Sequence, residues 1–133
     1  MTRSNPERRL QIVVVQYLRT VLPDGAVFWS VPNGGKMSAG ARRLAAAMGE
    51  YPGASDLMLL WLGRLHCIEL KVSANPAFGI KRTTYQSPEQ KAFAAAVDAQ
   101  GAPYAVCRSI DDVRAALAEW RIPTREVAHD RDP

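Results

Sequence analysis

The chain has 133 residues, which is one domain by size: enough for a single core, too little for a separate substrate-recognition module. Lys and Arg total 17 against 13 Asp and Glu, a formal charge of +4, which favours a polyanionic partner, although many soluble proteins are as basic. Three classes are disfavoured. Cys67 and Cys107 sit in strand-like apolar runs and form no disulfide framework, neither His66 nor His129 has a neighbour at zinc-ligand spacing, and no apolar run reaches the ~20 residues of a membrane helix. The start, Met-Thr-Arg-Ser-Asn-Pro, lacks the apolar stretch of a signal peptide, so a soluble, cytoplasmic protein with reduced thiols and no membrane partner is expected.

Ser4-Asn5-Pro6-Glu7 reads as a helix start, with Asn5 or Ser4 as N-cap and proline in the first turn. Leu10, Val13, Val14, Tyr17, Leu18 and Val21 then recur at helical spacing and predict one buried stripe. Glu7 falls on that stripe, and either completes a capping box or points inward at the open end of the helix. Leu22-Pro23-Asp24-Gly25 ends the helix, and Ala26 to Val31 predicts a first strand. Next comes Pro32-Asn33-Gly34-Gly35-Lys36. Its glycines allow the backbone amides of Asn33, Gly34 and Gly35 to approach a phosphate with Lys36 beside them, although such a run is also an ordinary turn. A helix from about Ala39 to Met48 presents Arg42 and Arg43, as a second basic contact or as a solvated face, and closes at Gly49.

The stretch from Gly53 to Val72 organises the rest. Two apolar runs flank Gly63-Arg64, and a glycine at the first central position suits a two-residue type II′ hairpin turn there. That register pairs Leu62 with Leu65, Leu60 with Cys67, Met58 with Glu69 and Asp56 with Lys71. Paired residues share a face. Asp56, Glu69 and Lys71 therefore project from one side, the carboxylates on diagonal neighbours with Cβ atoms roughly 7–8 Å apart, while Leu57, Leu59, Trp61, Ile68 and Leu70 take the other. Burying an ionised carboxylate costs several kcal/mol without compensation. A divalent cation compensates, and carboxylates that bind Mg²⁺ at about 2.0–2.1 Å can share one ion from diagonal positions. The plainer alternative is a turn-capping Asp56 beside a Glu69–Lys71 ion pair on an edge strand.

From Ser73 to Gln86 runs a long irregular connection in which Lys81 and Arg82 alternate with Phe78 and Tyr85, a mixture suited to phosphate and exposed bases and equally compatible with a solvated loop. Ser87-Pro88-Glu89-Gln90 starts the next helix in capping-box form, and Gln90 also precedes Phe93 and Val97 on the buried stripe. Tyr104 to Cys107 predicts another strand, and Ser109 caps a last helix whose inner face is Val113, Ala116, Leu117 and Trp120. The core domain is expected over 1–120, followed by a charged, proline-containing tail over 121–133.

Asp56, the hairpin and the Glu69-Leu70-Lys71 run together resemble the PD-(D/E)xK nuclease superfamily. More narrowly, Pro32-Asn33-Gly34-Gly35, Met48-Gly49, Pro52-Gly53, Ser55-Asp56-Leu57, Glu69-Leu70-Lys71 and Ser87-Pro88-Glu89-Gln90 are similar in order and approximate spacing to the virus-type replication-repair nuclease (VRR-NUC) family, from Glu7 to about Trp120. Ser55 stands where the family motif has proline, a position that carries no chemistry, and the segment between Lys71 and Ser87 is longer than the family's. The resemblance implies an α/β fold, a restriction-endonuclease-like sandwich with a mixed central β-sheet flanked by helices. It implies Asp56, Glu69, Lys71 and Gln90 as catalytic, with Mg²⁺ or Mn²⁺ held by Asp56, Glu69 and the Leu70 carbonyl, and Glu7 as an outer-shell or second-metal ligand. It also implies endonuclease action on DNA, selective for branched forms such as four-way (Holliday) junctions; flaps or single strands are the variant reading. A symmetric substrate cut on both strands by one small domain calls for a homodimer. Two competing classes are a DNA-binding module that never cleaves, separable by its indifference to metal, and a partner-binding domain in which Asp56→Ala, Glu69→Ala or Lys71→Ala changes nothing.

Overall fold

The computed structural model describes residues 5–32 and 37–126. Its elements alternate in the expected order: helix α1 (Pro6–Val21), strand β1 (Val27–Ser30), helix α2 (Ala39–Ala47), strands β2 (Leu57–Trp61) and β3 (Arg64–Leu70), helix α3 (Pro88–Ala99), strand β4 (Tyr104–Cys107) and helix α4 (Ile110–Glu119). The sheet has the order β1-β2-β3-β4. β1, β2 and β3 are antiparallel neighbours, and β4 joins β3 in parallel after the crossover through α3. The mixed, helix-flanked α/β sheet is therefore present.

Two apolar layers hold it together. On one face Leu57, Leu59, Ile68 and Leu70 pack beneath α1 and α4 with Val14, Leu18, Val113 and Leu117. On the other, Cys67 and Met58 meet Phe93 and Val97 of α3. The alternation along β2 and β3 sends every second side chain to each layer, so the amphipathic reading of the hairpin fixes which helices lie where. Helix α2 buries no residue. Val13 of the expected α1 stripe is also exposed, at the rim of a face centred on Val14 and Leu18.

The hairpin turns one residue earlier than expected. Trp61 pairs with Arg64, Leu60 with Leu65, Met58 with Cys67 and Leu57 with Ile68, so the turn is Leu62-Gly63, both with positive φ (51° and 76°). That is a type I′ geometry, which wants glycine at its second position as much as type II′ wants it at the first. Leu62 accepts a left-handed backbone, and Arg64 gains a hydrogen bond from Nε to the Gly101 carbonyl at 3.0 Å. Each partner changes by two residues, so no side chain changes face. One step beyond the last ladder pair, Asp56 stands opposite Glu69 itself rather than opposite Lys71.

Two other expectations need correction. The core continues past 120: Ile122 is 3% exposed and packs in the larger layer, the Arg125 amide donates to the Val21 carbonyl at 2.7 Å, and Glu126 takes hydrogen bonds from Arg114. With Ile122, three places after the helix, in the core, the chain returns to the end of α1. The 73–86 connection is not a loose solvated loop either. A short 3₁₀ turn (Pro76–Phe78), a bridge between Asn75 and Ile80, and the hydroxyls of Thr83 and Thr84 on the Ala74 and Val72 amides give it a fixed course.

Candidate active site

Glu69 arrives in the interior on β3 and is only 1% exposed. A carboxylate so placed needs partners. The first comes from α3, where the Ser87 hydroxyl accepts the Gln90 amide at 3.2 Å and Gln90 Oε1 accepts the Ser87 amide at 2.9 Å. This capping box fixes the side-chain amide of Gln90, whose Nε2 donates to Glu69 Oε2 at 2.9 Å. One side chain thus both closes the helix cap and reaches Glu69. Lys71, on the same strand face, sets Nζ 3.5 Å from that same oxygen. Beyond the end of β2, Asp56 Oδ2 accepts the Leu70 amide at 2.8 Å, a bond that replaces the next rung of the ladder and aims the aspartate at β3.

The other oxygen of Glu69, Oε1, is buried with no hydrogen-bond partner. Asp56 lies beside it, and two neighbouring carboxylates favour a proton on one of them. Burial first, and the Asp56 charge second, push the Glu69 carboxyl up to about 8, against the opposing pull of Lys71. Burial also raises Asp56, with the Leu70 amide pulling it back and the Glu7 charge adding to the rise. The pair holds a proton that ordinary carboxyls would have released. Among the described residues, no three His, Cys, Asp or Glu side chains form a ready-made metal cluster. What fits a cation is the hard oxygen set of buried Glu69 and half-buried Asp56, with Glu69 Oε1 left without a partner.

Asp56, Glu69, Leu70, Lys71 and Gln90 all line one cleft of about 960 Å³, bounded by α1, α2 and the start of α3. Glu7 borders it too. The N-cap of α1 is Asn5, whose Oδ1 accepts the Glu7 and Arg8 amides, so Glu7 sits at the second helical position without a capping-box task. Its Oε1 is buried and unpartnered. Arg42 lines the cleft from α2, whereas Arg43 does not. Lys81 and Arg82 line a smaller adjoining cavity that shares Asn5 and Glu7 with the main one. Asn33, Gly34, Gly35 and Lys36 lie outside the described residues.

The fold resembles solved structures across almost its whole length. One, a "VRR_NUC domain protein", superposes with a TM-score of 0.67 at 20% identity over 92% of this chain and 93% of that one. The chain has the fold of a VRR_NUC domain. A second structure, titled "VRR_NUC domain", gives a TM-score of 0.52 at 20% identity over 87% of this chain and 97% of its own. No family model and no curated protein sequence matches the chain.

Within this VRR_NUC fold three features near the carboxylates were given no role by the sequence reading: a pair of residues on α1, a tyrosine of β4 and a glycine before β2. Gln11 and Arg8 line the cleft beside Glu7; the i, i+4 spacing of Glu7 and Gln11 was the available signal. Tyr104 lies close enough for the Glu69 charge, after burial, to help lift its phenol to about 12, and its oxygen accepts from Gln86 Nε2 at 3.1 Å. Gly53 is the third. With φ at 78°, its Cα lies so near α3 that a Cβ would stand 2.4 Å from the Glu89 carbonyl.

Proposed function

We propose that the protein is a Mg²⁺- or Mn²⁺-dependent endonuclease that hydrolyses phosphodiester bonds in DNA. The observation that carries this reading is the buried, partnerless Oε1 of Glu69 beside Asp56, an arrangement that is costly in an empty structural site and suited to one that takes up a cation. A divalent ion held by Asp56, Glu69 and the Leu70 carbonyl, with Glu7 as an outer or second-ion ligand, would act as a Lewis acid that polarises the phosphate and acidifies water. Oxygen ligands favour Mg²⁺ or Mn²⁺ over zinc.

The side chains around that position divide the remaining work. Lys71 has its ammonium beside Glu69 Oε2, where it can orient the attacking water or offset charge growing on the phosphate. Gln90 holds Glu69 Oε2 from the other side, and its rigid amide keeps the carboxylate in one rotamer. Arg42, Lys81 and Arg82 supply phosphate contacts at the cleft and the adjoining cavity, joined by Arg43 and by Asn33 to Lys36. The preferred substrate is branched DNA such as a four-way junction, and a homodimer provides the two sites that symmetric cutting requires.

A panel of blunt duplex, flap, single-stranded and four-way DNAs, each with Mn²⁺ and with EDTA, tests the reading. Cleavage confined to the metal lanes and strongest on the junction is expected. Binding without cleavage in every metal lane overturns the enzyme assignment.

A further inference from the structure

Arg108 follows β4 directly, at the end of the sheet where Lys71 leaves β3. Its amide donates to Asp112 Oδ2 at 2.8 Å, and its guanidinium donates from Nη1 to the Val72 carbonyl at 2.9 Å and from Nη2 to the Thr84 carbonyl at 3.0 Å. These bonds tie the guanidinium to the exit of β3 and to the far end of the 73–86 connection. The same guanidinium carbon lies 5.6 Å from the centre of the Tyr85 ring, within cation–π range.

Tyr85 is 74% exposed. With a fixed cation against it and most of its surface in water, it presents an open aromatic face in a set orientation. Phe78, on the same connection and 70% exposed, makes no ring or cation contact among the described residues. Position adds the second half of the argument. Thr84, immediately before Tyr85, lines the small cavity with Lys81 and Arg82, and Ser87, just after it, lines the carboxylate cleft. Tyr85 therefore stands in the chain between a residue of each cavity. Bases inside a duplex already have both faces covered, so a surface ring can take only an unpaired one.

We propose that Tyr85 is a stacking platform for one unpaired nucleobase next to the scissile linkage, with Arg108 as the positioning residue behind it. The proposal rests on the nuclease reading and adds that the substrate exposes an unstacked base at the cut, as at a flap or at the crossover of a branched junction. The probe is a splayed-arm duplex with 2-aminopurine in the unpaired arm, titrated with protein in EDTA and compared with blunt duplex. Wild-type protein should quench the fluorophore. Tyr85→Leu, which keeps bulk without a π-face, should lose the quench and bind the splayed DNA about 5- to 150-fold more weakly, with blunt-duplex affinity unchanged. Tyr85→Phe should restore both. Equal loss on the two DNAs, or a leucine variant as good as wild type, overturns the platform. So does wild-type protein that cuts DNA with Mn²⁺ yet gives no quench, and the nuclease reading then stands alone. Protein that neither binds nor cuts any DNA overturns both.

Discussion

Glu69 is unfavourable for the fold where it stands, and the proposed function gives it a reason to be there. Its carboxyl titrates near 8 rather than at the ordinary 4.5, raised by burial and by Asp56. An acid whose folded-state pKa lies above its unfolded value costs nothing below about 4.5 and its full penalty above about 8, so its contribution to stability falls as pH rises between those values. In EDTA, Glu69→Gln should therefore melt higher than wild type at pH 8 by roughly 2–8 °C and show little difference at pH 4.5. The amide can give its oxygen to Gln90 and Lys71 and its nitrogen to Asp56, which preserves folding and DNA binding while metal-dependent cutting disappears. If Mg²⁺ binds between Asp56 and Glu69 as proposed, it has to displace the proton they retain, so its binding should tighten from pH 6 to 8 with proton release, as calorimetry in buffers of different ionisation enthalpy would record. A pH-independent metal affinity would contradict the protonated pair. That Asp56, Glu69 and Lys71 would meet was legible in the sequence, because acids on an apolar strand face demand an explanation. Tyr104 was not, since a tyrosine in a strand is ordinary until the sheet order puts β4 beside β3.

Among elements, the contact between Gly53 and the first turn of α3 decides where Gln90 points. A methyl group there meets the Glu89 carbonyl at 2.4 Å and the Gln90 amide at 2.6 Å, and the backbone is already in the left-handed region. Gly53→Ala should cost about 2–4 kcal/mol and lower the cleavage rate at least about tenfold, through displacement of an amide whose geometry matters on the sub-ångström scale. An unchanged rate and melting temperature would show that α3 is not positioned this way. The hairpin illustrates the limit of local reading at this scale. Glycine at position 63 serves two turn types, and the choice rests on tertiary partners such as Gly101, distant in sequence. The expected grouping of Asp56, Glu69 and Lys71 on one face survived because the period of a strand is two and the displacement was also two.

At the scale of the whole molecule, the modest +4 charge says less than its placement. Lys81 and Arg82 are exposed beside the cavity next to the carboxylates. If both reach phosphates, replacing them with alanine should weaken DNA binding and reduce the slope of log K against log salt by about 1.8. An unaltered slope would remove them from the interface. The order of elements and the two-layer core followed from periodicity and caps, which are local signals. The ordered course of the 73–86 connection and the burial of Ile122 depend on long-range partners, Val72 with Thr84 and Val21 with Arg125, that local signals do not carry. The cleft also gathers its acids and its amide from Glu7 at the first helix to Gln90 at the third. During synthesis on the ribosome the cleft cannot be complete before Gln90 has been added and has left the exit tunnel, so the acids wait on a much later amide for their final surroundings.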